Sequence, residues 1–134
     1  MPDLNETKKI LLVDDDDFFL VTAEEILKKD YQVFIVKSGK EALELLYKGF
    51  APNLIILDIL MPNMDGWEIY NRLRAISFLQ NVPIAFCTSL EGEEEEKHAF
   101  EIGVVDYLTK PYAQENLLKM VKKILGPSIN IVSR

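Results

Sequence analysis

Positive charge is in short supply: 15 Lys and Arg against 22 Asp and Glu leave a formal net charge of −7. Phosphate contacts need clustered Lys and Arg, which argues against a general nucleic-acid binder. The same balance argues against attachment to an anionic membrane surface. No apolar run approaches the ~20 residues of a membrane-crossing helix. Met1 to Thr7 shows no signal-peptide pattern, so membrane insertion is not expected. One cysteine, Cys87, rules out an internal disulfide and fits a reducing cytoplasm. Internal repeats and low-complexity linkers are missing too.

What remains is one domain's worth of chain, 134 residues, enough to bury a core without staples. Its organising stretch is Leu54-Ile55-Ile56-Leu57-Asp58, four apolar residues running into one carboxylate. Pro52 bounds it before, and a cluster of Pro62, Asn63, Asp65 and Gly66 bounds it after, so it reads as a fully buried strand over 54–58. Such strands belong to parallel sheets with helices on both faces.

Four more apolar runs complete the pattern. Ile10 to Val13 is a strand that stops at Asp14-Asp15-Asp16-Asp17. A helix follows from Asp17 to Lys29, capped by Asp16 or Asp17, with Phe19, Thr22, Ala23, Ile26 and Leu27 at helical spacing. Gln32 to Val36 is the second strand. Ser38-Gly39-Lys40-Glu41 is a capping box opening a helix that Gly49 ends. Asp65 caps a third helix with Ile69, Tyr70, Leu73 and Ile76 on one face. Val82 to Cys87 is a fourth strand ending at Thr88-Ser89, with Pro83 tolerable only near its start. Glutamates 91 and 93–96 crowd the start of a fourth helix, where the positive dipole end favours them. That helix has a thin apolar face, Ala99 and Ile102, and Gly103 closes it. Val104 to Leu108 is the fifth strand, running into Thr109-Lys110-Pro111. Leu117, Leu118, Val121, Ile124 and Leu125 mark an amphipathic fifth helix that Gly126-Pro127 stops.

Five strands alternating with five helices give an α/β class, a doubly wound (βα)5 fold around a parallel five-stranded sheet. The length fits the flavodoxin-like order 2-1-3-4-5, whose ligand crevice lies outside the strands' carboxyl ends. That order gathers Asp14, Asp15, Asp58, Thr88 and Lys110 on one rim. Like charges about 4 Å apart repel by ~4 kcal/mol even at an effective dielectric of 20. A divalent cation removes that repulsion, and carboxylates, backbone carbonyls and water are what Mg²⁺ prefers. A carboxylate at such a centre can also attack phosphorus and form an aspartyl-phosphate. Lys110 and the Thr88 hydroxyl would then neutralise the transferring group. Each residue alone has a plainer reading: helix cap, solvated lysine, strand-forming threonine. Capping explains one or two aspartates of the run, not four, and chance does not readily gather all five residues at strand ends.

The motifs Val13-Asp14-Asp15-Asp16, Leu57-Asp58-Ile59-Leu60-Met61-Pro62-Asn63-Met64-Asp65-Gly66, Thr88-Ser89 and Asp106-Tyr107-Leu108-Thr109-Lys110-Pro111-Tyr112 resemble the response-regulator receiver domain of two-component signalling. The likeness is to the stand-alone, chemotaxis-regulator type and runs over residues 8–125. It leaves an extension at 1–7 and a tail at 126–134. The resemblance implies a phosphorelay response regulator, not an enzyme beyond its own phosphorylation and dephosphorylation. Asp58 would accept a phosphoryl group from a histidine kinase or a histidine phosphotransfer protein. Mg²⁺ would be held by Asp15 directly, Asp14 mostly through water, Asp58 and the Leu60 carbonyl. Thr88 would be the switch hydroxyl and Lys110 the phosphate-binding lysine, its bond to Pro111 usually cis in relatives. Tyr107 would swing inward as Thr88 moves, changing the face of helix 4, strand 5 and helix 5. That face would control a partner protein or a phosphorylation-dependent homodimer.

Leu60 and Leu90 occupy two positions that modulate hydrolysis in the family, and apolar side chains there should slow the attacking water. His98, the only histidine, reads as a solvated surface residue, and Cys87 as a small buried hydrophobe. Trp67 lies near the metal loop as a fluorescence probe. Phe18 and Phe19 read as partly buried residues of helix 1, where cognate kinases usually dock. The glutamate run reads as a solvated helix start.

An enzyme of the haloacid dehalogenase type, an aspartate-nucleophile phosphatase, is the alternative. Asp14 and Asp16 satisfy its Asp-x-Asp, but Phe18 stands where Thr or Val belongs and no later Gly-Asp pair follows. A calcium loop from Asp14 to Glu25 fails at Phe19, where glycine is needed. The native-looking start at Met1 and the short tail favour a stand-alone chain over a fragment.

Overall fold

Apolar runs with no polar alternation need cover on both faces, and the fold supplies it. The computed structural model describes residues 7–126. Its elements are β1 (Lys9–Val13), α1 (Asp17–Leu27), β2 (Gln32–Val36), α2 (Gly39–Tyr47), β3 (Leu54–Leu57), α3 (Gly66–Arg74), β4 (Ile84–Thr88), α4 (Glu93–Ile102), β5 (Asp106–Thr109) and α5 (Gln114–Leu125). The sheet is parallel in the order β2-β1-β3-β4-β5, as the sequence predicts. Apart from Thr7 and Gly126, the expected extension and tail lie outside the described residues.

Period two along the strands sorts their side chains between two cores. Ile10, Leu12, Leu54, Ile56, Ala85 and Cys87 face α1 and α5, where Leu20, Ala23, Leu27, Leu117 and Val121 pack on them. Leu11, Val13, Ile55, Leu57, Ile84 and Phe86 face α2, α3 and α4. α4 buries only Ala99 fully.

Several boundaries differ from expectation. α1 stops at Leu27, not Lys29, because the chain turns there to bring the Gln32 amide to the Lys8 carbonyl at 2.9 Å. Asp16, not Asp17, is the cap and accepts from the Phe18 amide. Ile76 lies beyond α3, at the entry to a 3₁₀ turn over Ser77–Leu79. The Arg74 guanidinium holds that turn by donating to the carbonyls of Leu79 and Val82 at 3.0 and 2.9 Å. β4 begins after Pro83, which offers only its carbonyl to the ladder, accepting from Ile55. β5 begins at Asp106, after Val104 and Val105. α4 starts at Glu93, so Glu91 precedes it. Phe19 is buried but Phe18 is 77% exposed, because adjacent helical positions point about 100° apart. Glu25 sits in α1 and pairs with Lys28, so no calcium loop forms.

Candidate functional site at the carboxyl ends of the strands

The rim is built by backbone bonds that carry the ladder one residue past each strand. The Asp14 amide donates to the Val36 carbonyl at 3.2 Å, the Asp58 amide to Val13 at 3.0 Å, and the Lys110 amide to Thr88 at 2.8 Å. Since Val13 pairs with Leu57 in register, Asp14 and Asp58 stand side by side. Thr109 pairs with Thr88, which sets Lys110 at the same level. The Lys110–Pro111 bond is cis.

Asp14, Asp58 and Lys110 then have defined partners. One Asp14 oxygen accepts from the Asp16 amide at 2.9 Å, and the other from Lys110 Nζ at 2.6 Å. Lys110 Nζ also lies 3.7 Å from Asp58 Oδ2. Asp58 Oδ1 accepts from the Leu60 amide at 3.2 Å. Asp14 and Asp58 are buried and Asp15 is exposed. Oxygens of all three lie within 4.8 Å of one another. Of the aspartate run, one residue is buried in the site, one caps α1, and Asp17 pairs with Lys37.

Burial pushes the Asp14 carboxyl up to about 6, and the Asp58 charge adds to this against the pull of Lys110. Burial works against the Lys110 ammonium as well. There the bond to Asp14 and the charges of Asp14 and Asp58 outweigh it, and its pKa lies above the usual lysine value. Three carboxylates against one ammonium leave two uncompensated charges, and an all-oxygen donor set fits a hard divalent cation.

Thr88 is fully buried at the end of β4, and its hydroxyl accepts from the Leu90 amide at 3.2 Å. Tyr107 is already inside, 7% exposed, with its hydroxyl donating to the Leu90 carbonyl. An inward swing is therefore not left for it to make from this conformation. Phe86 meets the Tyr107 ring edge-on at 6.1 Å, and Trp67 meets Phe86 at 5.1 Å. His98 is exposed as expected, yet its ring rests 5.0 Å from Trp67. Cys87 is fully buried. Leu60 is half exposed, whereas Leu90 packs partly into the core.

Sequence reasoning overlooks three participants. One is Phe86, whose place two residues before Thr88 is its only signal. Another is the Leu90 backbone. The last is the Phe19 ring under Lys110.

The model of the response regulator receiver domain matches residues 10–122. The chain belongs to this family. A receiver of this kind is a phosphorelay component and generally a switch rather than an enzyme, and the matches lend no support to the phosphatase alternative. The chemotaxis protein CheY of Halobacterium salinarum is 34% identical over 119 residues, 88% of this receiver and 97% of CheY. A probable cyclic di-GMP phosphodiesterase of Vibrio cholerae is 36% identical over 111 residues, 83% of this chain but 25% of the relative's length. The chain thus spans about a quarter of that protein. Among solved structures, a response regulator from Chloroflexus aurantiacus superimposes with a TM-score of 0.82 at 34% identity, covering 91% of this chain and all of the other. The manganese-bound form of response regulator Rcp1 gives 0.74 at 31% identity, over 87% and 91%. Receivers bind a divalent cation at an acidic pocket, and Asp14, Asp15 and Asp58 form an acidic cluster at this rim. No helix among the described residues is long and apolar enough to cross a membrane.

Proposed function

We propose that Asp58 is the phosphoacceptor of a cytoplasmic phosphorelay, served by a histidine kinase or a histidine phosphotransfer protein. The observation that carries this reading is the convergence of Asp14, Asp15, Asp58 and Lys110 from three strand ends onto one rim. An Asp58 oxygen attacks phosphorus, and the phosphorus–nitrogen bond of phosphohistidine breaks. The imidazole leaves with the electron pair and is protonated. Asp14, Asp15, Asp58 and the Leu60 carbonyl would hold Mg²⁺, which when bound neutralises the cluster and the oxygens of the transferring group. Lys110 turns from Asp14 to a phosphoryl oxygen, and the Thr88 hydroxyl leaves the Leu90 amide to donate to another.

Phosphorylation adds nearly two negative charges at the rim. Tyr107, already inward, is locked there once Thr88 moves, and the face of α4, β5 and α5 is held in one arrangement. This is a shift of populations, with the inward tyrosine present before the phosphoryl group arrives. The switched face is read by a partner protein or by a second copy of the chain. Phe100 and Val105, each 43% exposed, stand at α4 and just before β5.

Intact mass after incubation with acetyl phosphate and Mg²⁺ tests the reading. One phosphoryl group on the wild type, none on Asp58→Asn and none with EDTA is the expected pattern. Labelling that survives in Asp58→Asn would remove Asp58 as the acceptor.

A further inference from the structure

Lys110 has a neighbour that charge does not explain. Its Nζ lies 4.4 Å from the centroid of the Phe19 ring, while Asp14 and Asp58 approach at 2.6 and 3.7 Å. Phe19 is 5% exposed, and Tyr112 meets it edge-on at 6.2 Å between centroids. The Lys110 side chain keeps only 16% of its exposure. Helical spacing requires an apolar residue at position 19, and leucine would satisfy that requirement. An aliphatic side chain lacks the negative face that attracts a cation.

We propose that Phe19 is a positioning residue for Lys110, holding the ammonium at the rim by its π face. The inference rests on the phosphoacceptor reading above. Attraction to a ring face fixes no hydrogen-bond direction. The ammonium can therefore exchange Asp14 for a phosphoryl oxygen without leaving its seat, and the ring keeps water off one side of it. With an acyl phosphate as donor, the Asp58–phosphorus bond forms as the phosphorus–oxygen bond to the acyl group breaks. The carboxylate leaves with the electron pair. Lys110 stays protonated and serves as a fixed positive charge.

The test measures the rate of Asp58 labelling by acetyl phosphate with saturating Mg²⁺. Three proteins are compared: wild type, Phe19→Leu, and a chain with 3,4,5-trifluorophenylalanine at position 19. The fluorinated ring keeps the shape and loses the negative face, so it serves should Phe19→Leu fold poorly. Each is made with Lys110 and with Lys110→Ala. With Lys110 present, both replacements should slow labelling about tenfold, between the exposed and the desolvated strength of a cation–π contact. With Lys110→Ala they should add nothing, since the ring acts through the lysine. Unchanged labelling, or the same loss in both backgrounds, would overturn the inference and leave the acceptor reading intact. No adduct on wild type would overturn both. The Lys110 ε-methylene protons give a readout that needs neither donor nor metal. Ring current should shift them upfield in wild type but not in Phe19→Leu, and no shift in wild type would remove the contact itself.

Discussion

Lys110 rests on Asp14, not on Asp58: its Nζ is 2.6 Å from the first carboxylate and 3.7 Å from the second. Asp14 has no exposed surface, so removing its cation strands a buried charge. Lys110→Met should lower stability at pH 7 by about 3 kcal/mol, the cost of breaking a buried pair. The double variant Asp14→Leu, Lys110→Met should lose less, because no charge is left unpaired. Urea titrations of the three proteins measure both, and a double variant less stable than Lys110→Met would sink the account.

Mg²⁺ should stabilise the folded chain at neutral pH. At about 100 times its Kd, a ligand adds ~2.7 kcal/mol, roughly 8–12 °C in Tm for a chain of this size. Asp15→Asn leaves the core untouched, since Asp15 is exposed, yet should shrink the shift. Equal shifts in both proteins would place the cation elsewhere.

Gly66 is required by closeness, not by its dihedral angle. A Cβ there would sit 2.6 Å from the Asp58 carbonyl oxygen and 2.7 Å from the Ile59 Cα. Both are backbone atoms, so the peptide at Asp58 must move. Gly66→Ala should cost about 1–3 kcal/mol, although alanine is the better helix former by ~1 kcal/mol. It should also slow Asp58 labelling. A stabilised variant that labels at the wild-type rate would contradict the close approach.

Leu60 and Leu90 are not equivalent. Leu60 is half exposed beside Asp58, while Leu90 packs partly into the core and lends its backbone to Thr88 and Tyr107. Leu60→Asn should therefore speed loss of the phosphoryl group, by about tenfold if a polar group lowers the barrier by ~1.4 kcal/mol. Leu90→Glu should add less. Decay followed by intact mass checks this, and decay no faster in the Leu60→Asn, Leu90→Glu protein than in wild type would count against any shielding.

Burial pushes the Cys87 thiol up to about 12, with the Asp14 and Asp58 charges aiding it against Lys110. Between pH 9 and 12 the folded state keeps a proton that the unfolded chain gives up. Stability from this group is full below pH 9 and falls as pH rises through that window. Cys87→Ala should flatten the decline in an alkaline denaturation series. Native protein should also resist iodoacetamide at pH 8 and react on unfolding.

Periodicity and punctuation are legible wherever a local rule governs. Four-residue apolar runs, the Ser38 and Asp65 caps and the closing glycines are each set by neighbours within four positions, so the alternation of strands and helices follows from the residues alone, while crossover handedness and chain length narrow the sheet order. Boundaries are less legible where distant groups decide them. α1 ends at Leu27 as the chain turns to bring the Gln32 amide to the Lys8 carbonyl, and nothing near Leu27 announces it.

Residue types in order were enough to establish a parallel α/β sheet and to name Asp14, Asp15, Asp58, Thr88 and Lys110, because topology and period two leave strand-end residues one place to go. Three things waited on the assembled fold: that Lys110 leans on Asp14, that Tyr107 is already inside, and that a phenylalanine face lies against the lysine. These are contacts across 91 residues between Phe19 and Lys110, 96 between Asp14 and Lys110, and 17 between Leu90 and Tyr107. Separations like these are settled by packing, which no local pattern encodes.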